Sequence, residues 1–356
     1  MEETRPYFLI RGLALAAVTI FLVMALSGPL RVAWLIHAGE YHQTRQEYTQ
    51  AIALYQDALT LRPSWSLSHL HMGQIYLIWG EYELAAQEFS EARSLDPEEV
   101  GALFGLGLAA SGLGEEDEAI EWWEEALALN PRNAEARYRL GMAYLNRSQW
   151  AKARSELERA AQLGNEEARY YLALLLARED RALAISYLEK VPSERAAETL
   201  TLLGELSGPH ASTRLGFLYL EEGLLSLAQE ELARAVALEP GEGMARSYLG
   251  YILWKSGDYE GAGEVVGEAI RLHPQEALNH YFFGLLHRSL GNPEAALLEL
   301  EKALHLDPEN AAFCAEIART YEEERDYLAA REWYREAAER APQEIDFHLL
   351  RAQFHL

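Results

Sequence analysis

Small and apolar residues recur along this chain in a fixed order. Between Ser66 and Pro97 stand Gly73, Tyr76, Ala85, Phe89, Ala92 and Pro97, the last five at offsets of 3, 12, 16, 19 and 24 from the glycine. The same order returns every 34 residues, with prolines at 63, 97, 131, 240, 274, 308 and 342. The alanines at offsets 12 and 19 are seven residues apart and share one face of a helix. Proline cannot continue a helix and disfavours helical geometry in the residue before it, so Asp96-Pro97, Asn130-Pro131 and Asp307-Pro308 read as stops. Each unit reads as two helices, with glycine in the first and alanine in the second allowing their axes to approach closely.

Small residue, aromatic, small, aromatic, small and proline at this period resembles the tetratricopeptide repeat, a helix–turn–helix unit. The resemblance covers roughly residues 32–344. It implies an all-α, right-handed superhelical solenoid of about nine repeats, a scaffold used for binding rather than for one chemistry.

Repeats one to four are expected over 32–165, with Gly39, Gly73, Gly107 and Gly141 on the template and Asn165 where a proline should stand. The rhythm breaks over 166–208, which reads as a shortened fifth repeat followed by an unpaired helix from Ser193 to Leu206. Such a helix is either the residue of a drifted repeat or a bend in the array. Repeats six to nine follow over 209–342, carrying Gly216, Gly250, Gly284 and Ala318, and 343–356 read as a closing helix.

Ahead of the repeats, after the flank 1–11, Gly12 to Leu30 are uncharged, between Arg11 and Arg31. That length is close to the roughly 20 residues a helix needs to cross a bilayer. An uncleaved transmembrane anchor is expected over 12–30, with Gly28-Pro29 breaking the helix before repeat one. A signal peptide cleaved after Ala25-Leu26-Ser27 is the competing reading. Arg5, Arg11 and the amino group precede the span and Arg31 and Arg45 follow it, which leans towards repeats on the non-cytoplasmic side of a bacterial inner membrane.

The formal net charge of −25 would repel phosphates, so no nucleic-acid partner is expected; the acidity otherwise keeps an open array soluble. Cys314 is the single cysteine, which excludes an internal disulfide and a cysteine-cluster zinc site. No metal-protease pair, phosphate loop, nucleophile elbow or dinucleotide fingerprint occurs. His69 and His71 point to different sides of a helix, whereas His280 and His287 share a face. Asn146-Arg147-Ser148 matches a glycosylation triplet in a turn. No catalytic residue, metal or cofactor is expected, and the chain does not read as an enzyme.

The resemblance implies that first-helix residues around the template glycine line a concave partner-binding surface. Here these are Leu67, Leu70, Gln74 and Leu77, then Phe104 and Leu108, then Tyr138, Met142 and Leu145, then Tyr170. Beyond the break come Phe217, Tyr251, Trp254, Tyr281 and Arg288. The Lys, Arg and Asn set with which relatives clamp the carboxylate of cytosolic chaperones is missing. Aromatic anchors of this kind suit a protein partner, unless curvature buries the rings against one another. The expected function is a non-catalytic, membrane-anchored interaction scaffold or assembly factor for an envelope complex. The alternative is an accessory subunit of a stable membrane complex.

Overall fold

The computed structural model describes residues 28–206 and 210–341. Most of the expected anchor (12–27) and the closing helix at 343–356 lie outside the described residues. All of the regular structure described is helical, and it comes in consecutive hairpins. They are α1 (Gly28–Thr44) with α2 (Tyr48–Leu61), α3 (Ser66–Trp79) with α4 (Tyr82–Leu95), α5 (Val100–Leu113) with α6 (Glu116–Leu129) and α7 (Ala134–Asn146) with α8 (Trp150–Gln162). A shorter pair, α9 (Glu166–Leu176) and α10 (Arg181–Leu188), is followed by the lone α11 (Glu194–Glu205). The long pairs resume with α12 (Ala211–Glu221) and α13 (Leu225–Leu238), then α14 (Gly243–Lys255) and α15 (Tyr259–Leu272). They finish with α16 (Ala277–Ser289) and α17 (Pro293–Leu306), then α18 (Ala311–Glu323) and α19 (Tyr327–Arg340).

The chain falls into two compact units, one holding residues 1–144 and 149–175, the other 145–148 and 176–356. Within each, the core is built hairpin by hairpin. In the first unit Tyr55, Phe89 and Trp123 are buried opposite Gly39, Gly73 and Gly107. A Cβ on Gly107 would stand 2.3 Å from the Trp123 indole, so glycine there is a slot cut for the ring. In the second unit Leu232, Val266 and Leu300 fill the same place opposite Gly216, Gly250 and Gly284. Ala318 takes the glycine's place in the last hairpin and still leaves Tyr334 fully buried.

The turn inside each long hairpin follows one rule. Seven residues after the template position the backbone is left-handed, at Gly80, Gly114, Gly223, Gly257 and Gly291, and also at Gln46, Ser148 and Arg325. The next amide then bonds back to the first helix, as Glu81 does to the Tyr76 carbonyl at 2.9 Å. This is a helix end closed by a 6→1 hydrogen bond, with glycine favoured because its φ is positive at little steric cost.

Between hairpins a second device recurs. Four residues before the template glycine stand Arg137, Arg246 and His280. Arg137 Nη2 donates to the Pro131 carbonyl at 2.7 Å, Arg246 Nη2 to that of Pro240 at 2.8 Å, and His280 Nε2 lies 3.0 Å from that of Pro274. The same side chains reach acids on the second helix: Arg137 meets Glu156, Arg246 meets Glu268 at 2.7 Å, and His280 Nδ1 meets Glu299 at 2.7 Å. One side chain thus ties the proline turn to both helices of its hairpin. In the first, third and last hairpins apolar residues hold the first-helix and facing positions instead, as Leu35 with Leu54, Leu103 with Trp122 and Cys314 with Trp333. Burial pushes the Cys314 thiol up, as expected of a packing residue.

Gly28 and Pro29 lie in the first described turn of α1. Residues 28–30 therefore belong to the first hairpin. Among the described residues no helix is long and apolar enough to cross a membrane. Where Asn165 replaces the proline, its side chain accepts from the Ala168 amide at 2.7 Å and donates to Glu135 at 3.1 Å. It starts α9 by capping.

Candidate partner-binding face

In the first unit the candidate residues sit at graded depth. Leu70 and Tyr170 are buried, and Leu70 is part of a core with Phe89 and Leu106. Leu67 and Leu77 are half-buried against core residues, and Gln74 accepts from the Gln43 side chain at 3.4 Å. Phe104, Leu108, Tyr138 and Met142 are half-buried. The Tyr138 ring lies 6.0 Å from that of Tyr171, which in turn meets Tyr170 edge-on at 5.6 Å. Burial, with Tyr171 beside it, pushes the Tyr138 phenol up to about 12, so it offers an uncharged hydroxyl near neutrality.

In the second unit the aromatic candidates are brought together. Phe217 meets Tyr248 at 4.8 Å between ring centres, Tyr248 meets Phe282 at 5.5 Å, Phe282 meets Tyr251 at 4.9 Å, and Tyr281 meets Phe313 at 4.9 Å. Trp254 packs on Tyr251 at 5.6 Å and donates its indole N–H to Ser289 at 2.8 Å. These contacts run from one first helix to the next along α12, α14, α16 and α18, at separations where aromatic pairs add to simple burial. Phe217, Tyr251, Trp254 and Tyr281 each keep part of their surface open. The rings pack on one another and keep part of their surface exposed.

Three candidates are corrected as contact residues. Leu70, Leu145 and Tyr170 are buried at 7%, 2% and 2% exposure, because neighbouring helices close over those positions, and they support the face from beneath. Arg288 is engaged already: its Nη1 lies 2.6 Å from Glu316 and its Nε 3.7 Å from Glu323, both on α18. It joins two first helices rather than waiting for an acidic ligand.

Tyr248, Phe282 and Tyr171 were missed from sequence although a signal existed. Each stands two residues before the template position of its repeat, a place not counted among the concave ones. The histidines take structural partners: His69 with Glu88 at 2.7 Å, His280 with Glu299, His71 stacked on Tyr55 at 5.1 Å and His287 edge-on to Phe283 at 4.5 Å. His210, just ahead of α12, has its Nδ1 3.3 Å from Glu239 and 3.4 Å from Glu242 in the turn after α13, an arrangement that a metal ion could also span. A cleft of about 370 Å³ between α6, α7 and α8 is lined by Glu124, Arg137, Tyr144, Lys152, Glu156 and Arg159. Its polar groups engage each other, with Tyr144 donating to Glu124 at 2.7 Å and Arg159 to Glu156 at 3.0 Å.

Models of repeat families match this chain in several places. A family model for the TPR repeat matches residues 112–147, and models for the tetratricopeptide repeat match 68–99, 135–163, 213–277 and 287–354. Among curated proteins none matches. Solved structures similar to this chain include MamA protein, at 25% identity over 50% of this chain and 97% of that one, with a TM-score of 0.40. They also include yeast Tom70, at 14% identity over 92% of this chain and 88% of that one, with a TM-score of 0.37. The repeat matches together span more than half of the chain, and the chain belongs to the tetratricopeptide-repeat family.

Proposed function

We propose that this protein is a non-catalytic scaffold that holds a protein segment along its first helices while the uncharged run ahead of α1 fixes it to a membrane. The observation that carries the binding part is the half-exposed aromatic face of Phe217, Tyr251, Trp254 and Tyr281, prearranged by ring–ring contacts. Rings already fixed by packing lose little freedom when a partner docks, which favours binding through them. Tyr138 offers a comparable, uncharged anchor in the first unit. With a net charge of −25, the partner is a protein with apolar or basic contacts rather than a nucleic acid.

The membrane part rests on sequence: an uncharged run of membrane-spanning length bounded by arginines. The charge balance across it favours repeats outside the cytoplasm of a bacterial inner membrane. An assembly factor for an envelope complex is the role that joins an anchor to a binding face. A permanent accessory subunit is the second reading, favoured by the same anchor.

Purification from native membranes in mild detergent, with mass spectrometry of co-migrating proteins, separates the two. A partner set at constant ratio indicates a subunit, and partners retained only after crosslinking indicate an assembly factor. Tyr138→Ala with Tyr251→Ala is expected to reduce partner recovery while helicity stays unchanged. Unchanged recovery would remove the aromatic face from the reading. Protease protection of intact cells and spheroplasts tests the membrane side.

A further inference from the structure

The first hairpin differs from the others at the positions where hairpins stack. Five residues before the template glycine, Ser68, Ala102, Ala136, Ala245 and Asn279 are each fully buried, at 0% exposure. Two residues after it, Ile75, Ala109, Ile252 and Leu286 are buried as well. Phe313 shows that even a large ring at the first of these positions is covered, at 1% exposure. These places face the preceding hairpin, so burial there is a property of stacking.

In α1 the same two positions hold Trp34 and Tyr41, exposed at 50% and 58%. Leu30, also exposed, lies four residues before Trp34. At 100° per residue the three fall within roughly 40° of arc, one stripe along the helix. The opposite side of α1, through Val32, Leu35 and Ile36, is already packed against α2. The stripe thus occupies the first hairpin's stacking positions; no other described hairpin covers it, and Arg45 of the following turn lies over the Tyr41 ring at 5.5 Å and donates to its hydroxyl at 3.2 Å.

We propose that this stripe lies in the headgroup region of the bilayer, so that the array meets the membrane through its first stacking face. The proposal rests on the anchor reading above. Three observations select lipid as the occupant. The uncharged run 12–27 leads directly into α1 at Gly28, so any bilayer it enters is adjacent in the chain. Trp and Tyr, amphipathic rings that favour membrane interfaces, stand where small or aliphatic residues serve stacking in most other hairpins. Arg31, beside the stripe and exposed, suits lipid phosphates.

The test uses the full chain in a Cys314→Ala background, reconstituted into phosphatidylcholine–phosphatidylglycerol vesicles. A single cysteine replaces Trp34, Tyr41 or, as a control in a distant hairpin, the exposed Gln162, and carries an environment-sensitive fluorophore. Flotation reports the anchor separately. The expected result is flotation with blue-shifted emission at 34 and 41, quenched by nitroxide-bearing lipids, and water-like emission at 162. Flotation with 34 and 41 open to aqueous iodide would overturn the proposal and leave the anchor standing. Shielding from iodide without quenching by nitroxide lipid would also overturn it, because protein would then cover the stripe. Failure to float would overturn both. Circular dichroism of each labelled chain checks that the hairpins remain folded.

Discussion

Nδ1 of His280 on α16 lies 2.7 Å from Oε2 of Glu299 on α17, and both residues are almost entirely buried. Lys302 adds a second bond to the carboxylate at 2.7 Å. Burial works to raise the Glu299 carboxyl, but the bonds from His280 and Lys302 outweigh it and hold it below the ordinary value of 4.5. A carboxyl lowered in the folded state contributes stability above its unfolded value, and that contribution is lost as pH falls through the folded value. His280→Ala leaves a buried acceptor short of one partner and is expected to cost about 1–3 kcal/mol near neutrality. Glu299→Gln is expected to differ most from the parent near pH 7, with the gap closing below pH 4.5. Urea denaturation at several pH values checks both, and a gap that widened in acid would contradict the assignment.

Gly107→Ala tests the slot for Trp123. The added methyl would stand 2.3 to 2.8 Å from three indole atoms of a rigid ring buried at 3% exposure, so it cannot be relieved by swinging a flexible tip away. Overpacking of this kind costs about 1–3 kcal/mol. A lower melting temperature, with reduced or shifted Trp emission, is the expected outcome.

Ser148→Gly is expected to stabilise. Ser148 has φ of 56°, where five other hairpins place glycine. A left-handed non-glycine residue costs roughly 1–2 kcal/mol, and glycine's greater unfolded-state freedom returns part of it. A net gain of about 0.5–1 kcal/mol is expected, and Gln46→Gly and Arg325→Gly should act in the same direction. Thermal denaturation of the three single variants measures it.

Arg288 and Glu316 form the remaining test. If their ion pair joins α16 to α18, Arg288→Ala and Glu316→Ala are each destabilising, while the double variant loses less than the two together. A coupling of about 0.5–3 kcal/mol in a double-mutant cycle is expected. Partner recovery should follow stability in all three variants. Loss of recovery by Arg288→Ala with stability unchanged would return Arg288 to the binding face.

Much of the architecture is legible in sequence because the 34-residue period is written in residues with strong local consequences. Glycine and alanine set where helices can approach, and proline sets where they stop. In the described part of 166–208 the template residues go missing where α10 shortens and α11 packs back on it.

What the order of residues determines here is local: two-helix units, their turns and the face each helix must bury. What only tertiary structure decided is which side chains meet across hairpins. Arg288 looks available in sequence and is held by Glu316; Tyr170 looks like an anchor and is buried. Tyr248 and Phe282, outside the expected set, join the aromatic face. The reason is physical. A hairpin's internal contacts follow from spacing along its own helices, whereas contacts between hairpins depend on the angle at which one is laid on the next. That angle is set by the packing of many side chains at once.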